Sequence, residues 1–146
     1  MPHLADEKAR LAHLYELELL DSAAEPAYDA FTRLAASICA TPVSLITLVD
    51  ENRQWFKSNV GLEGISETSR DVAFCSHAIQ TDTVFEIPDA HLDERFRNNP
   101  LVTLEPHIRF YAGAPIIVGD ANAVGTLCVI DRVPRTLSDR QREELG

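Results

Sequence analysis

The spacing of apolar positions divides the chain into a regular series of elements. From Leu4 to Leu20, Leu11, Leu14 and Leu17 step by three, while Glu7, Lys8, Arg10, Glu16 and Glu18 occupy much of the remaining surface. That period predicts a helix with a narrow apolar stripe, one that packs against a neighbour or a second copy of itself. Ser22 and Glu25 have capping-box spacing, and Pro26 falls in the tolerant first turn of a second helix. Tyr28, Phe31, Leu34, Ala35 and Ile38 form that helix's apolar stripe, and Pro42 follows its end.

The period then changes from helical to extended. Val43 to Val49 is β-branched and apolar on both faces, as a central strand requires. Asp50-Glu51-Asn52 is a turn, and Gln54 to Val60 is the returning strand of a hairpin. A polar loop from Gly61 to Arg70 leads to a short helix at Val72 to Ile79. A short strand at Val84 to Ile87 ends at Pro88-Asp89. Between Ala90 and Glu105 no long periodic run occurs, and irregular stretches of that length in small domains are usually functional or mobile. Ile108 to Val118 is a strand in which Gly113 and Pro115 imply a bulge or an edge position. Gly119 to Asn122 is a turn, Val124 to Ile130 is its returning strand, and Leu137, Ser138 and Gln141 announce a last helix. That helix reaches Gly146 after about two turns, so we expect the sequence to be one domain, residues 1–146, of a longer protein. Adjacent hairpins between helices give an α+β design around an antiparallel sheet.

The totals limit the function classes. At 146 residues, with 45% hydrophobic and 25% charged positions, the chain is long enough to close its own core. Lys plus Arg number 13 against 23 Asp plus Glu, a formal charge of −10. Nucleic acid and anionic membrane surfaces are therefore expected to be poor partners. There is no basic and apolar leader pattern and no run long enough to cross a bilayer. Three scattered cysteines, Cys39, Cys75 and Cys128, lack any CxxC spacing, and a reduced, cytoplasmic setting is expected.

Several stretches then fall into a known pattern. They are 17–21 (LELLD), 49–57 (VDENRQWFK), 70–79 (RDVAFCSHAI), 99–102 (NPLV), 108–115 (IRFYAGAP) and 125–131 (GTLCVID). In order and spacing they resemble bacterial GAF domains of signalling proteins, over nearly the whole chain from about Leu11. The resemblance implies a central antiparallel sheet with the N- and C-terminal helices bundled on one face. A ligand pocket would lie on the other face, under short helices and loops. It also implies a sensor linked to an output domain, such as a histidine kinase or a cyclase, and a homodimer formed through the terminal helices, with residues 1–20 a possible contact.

Candidate chemistry falls in the middle of the chain. Cys75 and His77 suggest a thiol with a nearby base, but residues two apart on a helix point in different directions. Cys75 therefore reads either as a reactive thiol, as in a redox enzyme, or as a small buried hydrophobe. Photoreceptor GAF domains carry their bilin-linking cysteine just before the strand that here starts near Ile108. Residues 98–107 contain no cysteine, so covalent bilin is not expected, and no cofactor is assigned. His77, Asp89, His91 and Asp93 lack the spacing of a metal set. Arg109 and Tyr111 share one strand face, with Ile108, Phe110 and Ala112 on the other. Arg109 needs an acceptor, which is either Asp71 or Asp89 within the chain or a ligand's carboxylate or phosphate. Phe74 and Phe96 are candidate apolar walls, and Asn98 and Asn99 candidate polar readers. The expected function is a small-molecule sensor whose segment 89–102 closes over a ligand and biases the terminal helices. Its rivals are a dimerisation module whose pocket is filled by Phe74, Phe96 and Tyr111, and a thiol enzyme using Cys75.

Overall fold

In the computed structural model the described residues are 7–23, 25–62, 65–69, 74–79, 83–103, 107–118 and 122–145. The N-terminal helix α1 runs over Glu7–Glu16 and α2 over Pro26–Cys39. Strands β1 (Val43–Val49) and β2 (Arg53–Val60) form the first hairpin, followed by the three-residue β3 (Glu67–Ser69). A single turn of helix, α3 (Cys75–Ala78), precedes β4 (Phe85–Ile87), a 3-10 turn at Ala90–Leu92 and α4 (Pro100–Thr103). Strands β5 (Phe110–Val118) and β6 (Asn122–Asp131) form the second hairpin, and α5 (Asp139–Leu145) ends the chain. The six strands form one sheet in the order β3-β2-β1-β6-β5-β4, and all its neighbours are antiparallel. The expected α+β architecture is present, and β1 is buried at every position, as its two-sided apolar pattern requires.

The sheet separates two faces. On one lie α1, α2 and α5: Leu14 packs with Leu48, Trp55 and Val124, and Ala35 and Cys39 pack with Phe110, Ala112, Val129, Leu137 and Leu145. On the other, α3, α4 and the intervening segment bury Phe74, Phe96, Val102, Ile108 and Tyr111 against Val43, Leu45, Val49 and Cys128. The two central strands approach so closely that a Cβ on Gly125 would sit 1.8 Å from the Thr47 carbonyl oxygen. A side chain at Gly125 would force β1 and β6 apart.

A bulge sets which residues of β2 face which layer. The β1–β2 register slips between Ile46 and Thr47, leaving Lys57 without a partner, so Lys57 and Ser58 both reach toward α2. Lys57 Nζ, on a side chain with 0% exposure, reaches Glu25, Ser22 Oγ and the Ala23 carbonyl, each at 2.6 Å. Ser58 joins Thr32 and Asp29 at 2.7 Å each.

These polar demands explain why two sequence expectations fail. The Ser22–Glu25 capping box does not form: Ser22 and Glu25 are drawn to Lys57, and Glu25 caps α2 without a side-chain bond. The apolar stripe of α2 is buried only in part. Ala35 is inside and Ile38 packs beside it, together with Thr32 and Cys39, whereas Phe31 and Leu34 are each 57% exposed, because the first turns of the helix face Lys57 and Ser58 of the sheet. Arg10, expected on the charged side of α1, is buried, with Nη1 donating to the Val49 carbonyl at 2.6 Å. Ile108 departs from the expected alternation and packs with Tyr111, because regular strand begins only at Phe110 and His107 has φ 59°. The polar segment after Gly61 also contains a strand, β3, that its composition did not announce. By contrast the last helix starts as read, with Ser138 and Gln141 bonding each other's backbone N–H at 2.8 and 3.1 Å. The turn at 119–121, the start of the Val72 helix and the first residues of the Leu4 helix lie outside the described residues.

Leu14 and Leu34 should therefore respond oppositely to truncation. Leu14→Ala is expected to cost about 2–5 kcal/mol as a fully buried leucine. Leu34→Ala is expected to stay within about 0.5 kcal/mol in the monomer. Urea titration of both variants at low protein concentration measures the difference.

Candidate functional site

The centre of the site is assembled by alternation along two strands. Thr126 and Cys128 share one face of β6, and Thr47 stands opposite Thr126 on β1, their hydroxyls 3.0 Å apart. α3 lays Cys75 over this pair, its Sγ 3.0 Å from Thr126 Oγ1 and 3.0 Å from the Tyr111 hydroxyl. Tyr111 leans along β5 over Gly113, where a Cβ would meet the hydroxyl at 2.3 Å, so only glycine leaves room for it. Gly113 is the cross-strand partner of Cys128, which brings the hydroxyl and the two thiols into one buried polar cluster.

Its electrostatics are asymmetric. Burial pushes the Cys75 thiol up, but hydrogen bonds from Cys128, Thr126, Thr47 and Tyr111 outweigh that and hold it below the usual thiol range. Its hydrogen bond to Cys75, then burial, pushes Cys128 well up. Burial, followed by the neighbouring thiol charges, pushes the Tyr111 phenol well up.

Above the polar cluster lies an aromatic layer. Phe74 stacks on Phe96 with centroids 4.3 Å apart and meets Tyr111 at 5.3 Å, and Phe85 lies 6.3 Å from both Phe96 and Tyr111. His77 turns away from Cys75, edge-on to Phe96 at 4.8 Å and stacked with Phe85 at 6.2 Å. Burial, then the Arg95 charge, lowers the His77 pKa and favours the neutral ring. The Arg95 guanidinium covers Phe85 and Phe96 at 5.1 and 5.3 Å and is held by Asp93 at 2.8 Å.

Of the residues singled out in the sequence, Phe74, Cys75, His77, Phe96 and Tyr111 thus converge. Asp89 and Arg109 form a separate pair at the rim, two bonds of 2.8 Å, with Asp89 also accepting from the His91 N–H and the Arg109 carbonyl accepting from the Ala90 N–H. Of the acceptors considered for Arg109, Asp89 is the one engaged, and Asp71 lies outside the described residues. Asn99 caps α4 by accepting from the Leu101 N–H at 2.8 Å. Asn98 borders an outer hollow of about 470 Å³ with His91, Arg97 and His107, away from the aromatic layer. Another hollow, of about 480 Å³, lies across the molecule beside α2 and β2, walled by residues including Arg33, Trp55 and Asn59. Among the described residues no group of three His, Cys, Asp or Glu is placed to hold a metal ion, and no helix is long and apolar enough to cross a membrane.

Sequence reasoning missed Cys128, Thr126, Thr47, Phe85 and Arg95. The strand period would have placed Thr126 and Cys128 on one face, but it could not supply the partner that α3 brings.

The GAF domain family model matches residues 15–145. The chain is a GAF domain. It is of the bacterial signalling type, and is 46% identical over 134 residues to a cyclic di-GMP phosphodiesterase of Pseudomonas aeruginosa. That match covers 92% of this chain and only 23% of the relative, so this GAF domain spans about a quarter of that protein's length. Among solved structures it resembles the GAF domain of an Acinetobacter phosphoenolpyruvate-protein phosphotransferase, with TM-score 0.67, 20% identity and coverage of 95% of this chain and 85% of that one. It also resembles the type II free methionine-R-sulfoxide reductase of Thermoplasma acidophilum, with TM-score 0.66, 11% identity and coverage of 90% and 86%. At these identities the two structures share the fold.

The Asp89–Arg109 pair predicts a pH signature. Its hydrogen bonds to Arg109, offset in part by burial, hold the Asp89 carboxyl below its usual value, so its contribution is complete above about pH 4 and is lost as pH falls through the folded pKa. Asp89→Asn should lower the melting temperature at pH 7, and the gap from the parent should narrow as the pH falls below about 4. Thermal melts between pH 7 and pH 3 measure that gap.

Proposed function

We propose that this GAF domain is a regulatory sensor that accepts a small, largely apolar ligand at the Phe74–Phe96–Tyr111 layer and carries the event to its terminal helices. The observation that carries this reading is the two-sided role of β4. Phe85 faces the aromatic layer, whereas Glu86 on the opposite face accepts the Leu137 N–H at 3.0 Å and pairs with Arg142 of α5 at 2.7 Å. A ligand that displaces Phe96 must move Phe85, and the strand that carries Phe85 also holds α5. Differential contact with two packings of β4 is what such coupling requires. Residues 89–102, pinned at one end by Asp89–Arg109, form the cover.

The same reading treats the isolated domain as non-catalytic. By analogy with its Pseudomonas relative, its output would be control of cyclic nucleotide turnover by another region of a longer protein. A homodimer through the helical face is part of the proposal, since Phe31, Leu34 and Tyr15 lie exposed there. One observation favours a second reading, a dimerisation module with a self-filled pocket: Phe74 and Phe96 are stacked and each only 2% exposed, so the site is occupied by its own side chains.

Two measurements separate these readings. Native mass spectrometry of freshly purified protein should show a retained small molecule if the domain is a ligand sensor, and the bare chain mass in every preparation if it is a structural module. Phe85→Ala should also raise hydrogen exchange in α5, which Glu86 rather than Phe85 touches. Unchanged α5 protection in a folded Phe85→Ala protein would refute the β4 route.

A further inference from the structure

We propose that Cys75 and Cys128 are an oxidisable pair that closes into an intramolecular disulfide between α3 and β6 when the protein meets a hydroperoxide. This is independent of whether a ligand occupies the aromatic layer. The two thiols come from elements far apart in sequence and meet inside one hydroxyl-lined cluster. Cys75 Sγ is fixed at 3.0 Å from both Tyr111 and Thr126, and Cys128 stands opposite Gly113, under the Tyr111 hydroxyl. Thr126, which bonds Cys75 Sγ, shares one face of β6 with Cys128, and both cysteines belong to the same buried cluster, so the two thiols border one another's hydroxyl surroundings. Three polar side chains, Thr47, Thr126 and Tyr111, are buried here although packing alone would favour apolar ones. Donors aimed at a sulfur stabilise it as thiolate, the nucleophilic form.

Cys39 provides an internal contrast. It is buried beneath α2 in the other core, where burial raises its pKa and none of the hydrogen bonds described above reaches its sulfur. A chain that merely stored buried thiols would treat all three alike.

The chemistry balances with the hydroperoxide as the two-electron oxidant. The Cys75 thiolate attacks the terminal peroxide oxygen; the O–O bond breaks, and the departing alkoxide or hydroxide takes up a proton. Cys75 is then a sulfenic acid. The Cys128 sulfur attacks the Cys75 sulfur, an S–S bond forms, the S–O bond breaks, and the hydroxyl leaves as water with the Cys128 proton. Each cysteine has lost one electron and the peroxide has gained two. The sulfurs must close to bonding distance, which draws α3 toward the strand that carries Cys128 and tightens the Phe74–Phe96 stack above it.

The experiment uses the whole chain, treated with hydrogen peroxide under native conditions, quenched with N-ethylmaleimide, digested and mapped by mass spectrometry. The expected product has no covalent link between chains, is lighter by two hydrogens per chain, and contains a dithiothreitol-reversible Cys75–Cys128 cross-link, with Cys39 still alkylatable. Cys128→Ala should instead leave a sulfenic acid at Cys75, trapped by dimedone at about tenfold the parent level because the resolving thiol is gone. If Cys128→Ala does not fold, the map of the parent decides alone. Oxidation of Cys39 at the rate of Cys75, cross-links between chains only, overoxidation of Cys75 without Cys128, or resistance of both thiols until the protein unfolds would each overturn the proposal.

Discussion

A buried ammonium must find acceptors, and much of this domain is arranged around that requirement at Lys57. The bulge in β2 turns Lys57 inward to the helical face, where its charge would be very costly unpaired. The acceptors come from the connection between α1 and α2: Ser22, Ala23 and Glu25. Arg53, four residues earlier on β2, fastens Asp21 of the same connection with two bonds of 2.7 and 2.9 Å, and Tyr15 reaches Asp50 at 2.7 Å. The segment 49–57 thus serves as a clasp that ties the N-terminal helix to the sheet. Once the connection is held there, α2 must present Thr32 and Asp29 to the sheet, and its larger apolar residues are turned outward.

The opposite end of the helical layer is held by a parallel device. Arg135 Nη1 donates to the Cys39 and Ala40 carbonyls at the end of α2, at 2.6 and 2.8 Å, and Arg135 also pairs with Asp131 at the end of β6. Together with Glu86 and Arg142, these contacts mean that the helical face is fixed by a few charged attachments as well as by apolar packing. Charged attachments have specific partners and directions. They allow a helix to be repositioned as a unit, as the proposed passage of a signal to the terminal helices requires.

Much of the fold was legible because strand periodicity and turn chemistry are local. β1, the two hairpins and the Ser138–Gln141 cap follow from neighbouring residues alone. The misreadings arose where a distant side chain decided. The phase of α2 depends on a bulge in β2, and the fate of the Ser22–Glu25 box depends on Lys57, some thirty residues away. The site divided in the same way. Phe74, Phe96 and Tyr111 are recognisable as large apolar residues near a loop. The meeting of Cys75 with Cys128 depends on α3 crossing above β6, which no local pattern records. Arg109 was recognisable as needing a carboxylate, and it is held by Asp89, twenty residues earlier.

The sheet ends in β3 and β4, each only three residues long and each bearing an acidic residue, Glu67 and Glu86. A short, charged border offers an incoming strand few backbone groups and an unfavourable register, so growth of the sheet by strand addition between molecules is disfavoured. The extended, two-sided β1 lies at the centre, paired on both sides by β2 and β6, and offers no edge of its own. The homodimer proposed above would use the helical layer instead, where geometry is set by side chains and a contact could be made and broken without disturbing the sheet.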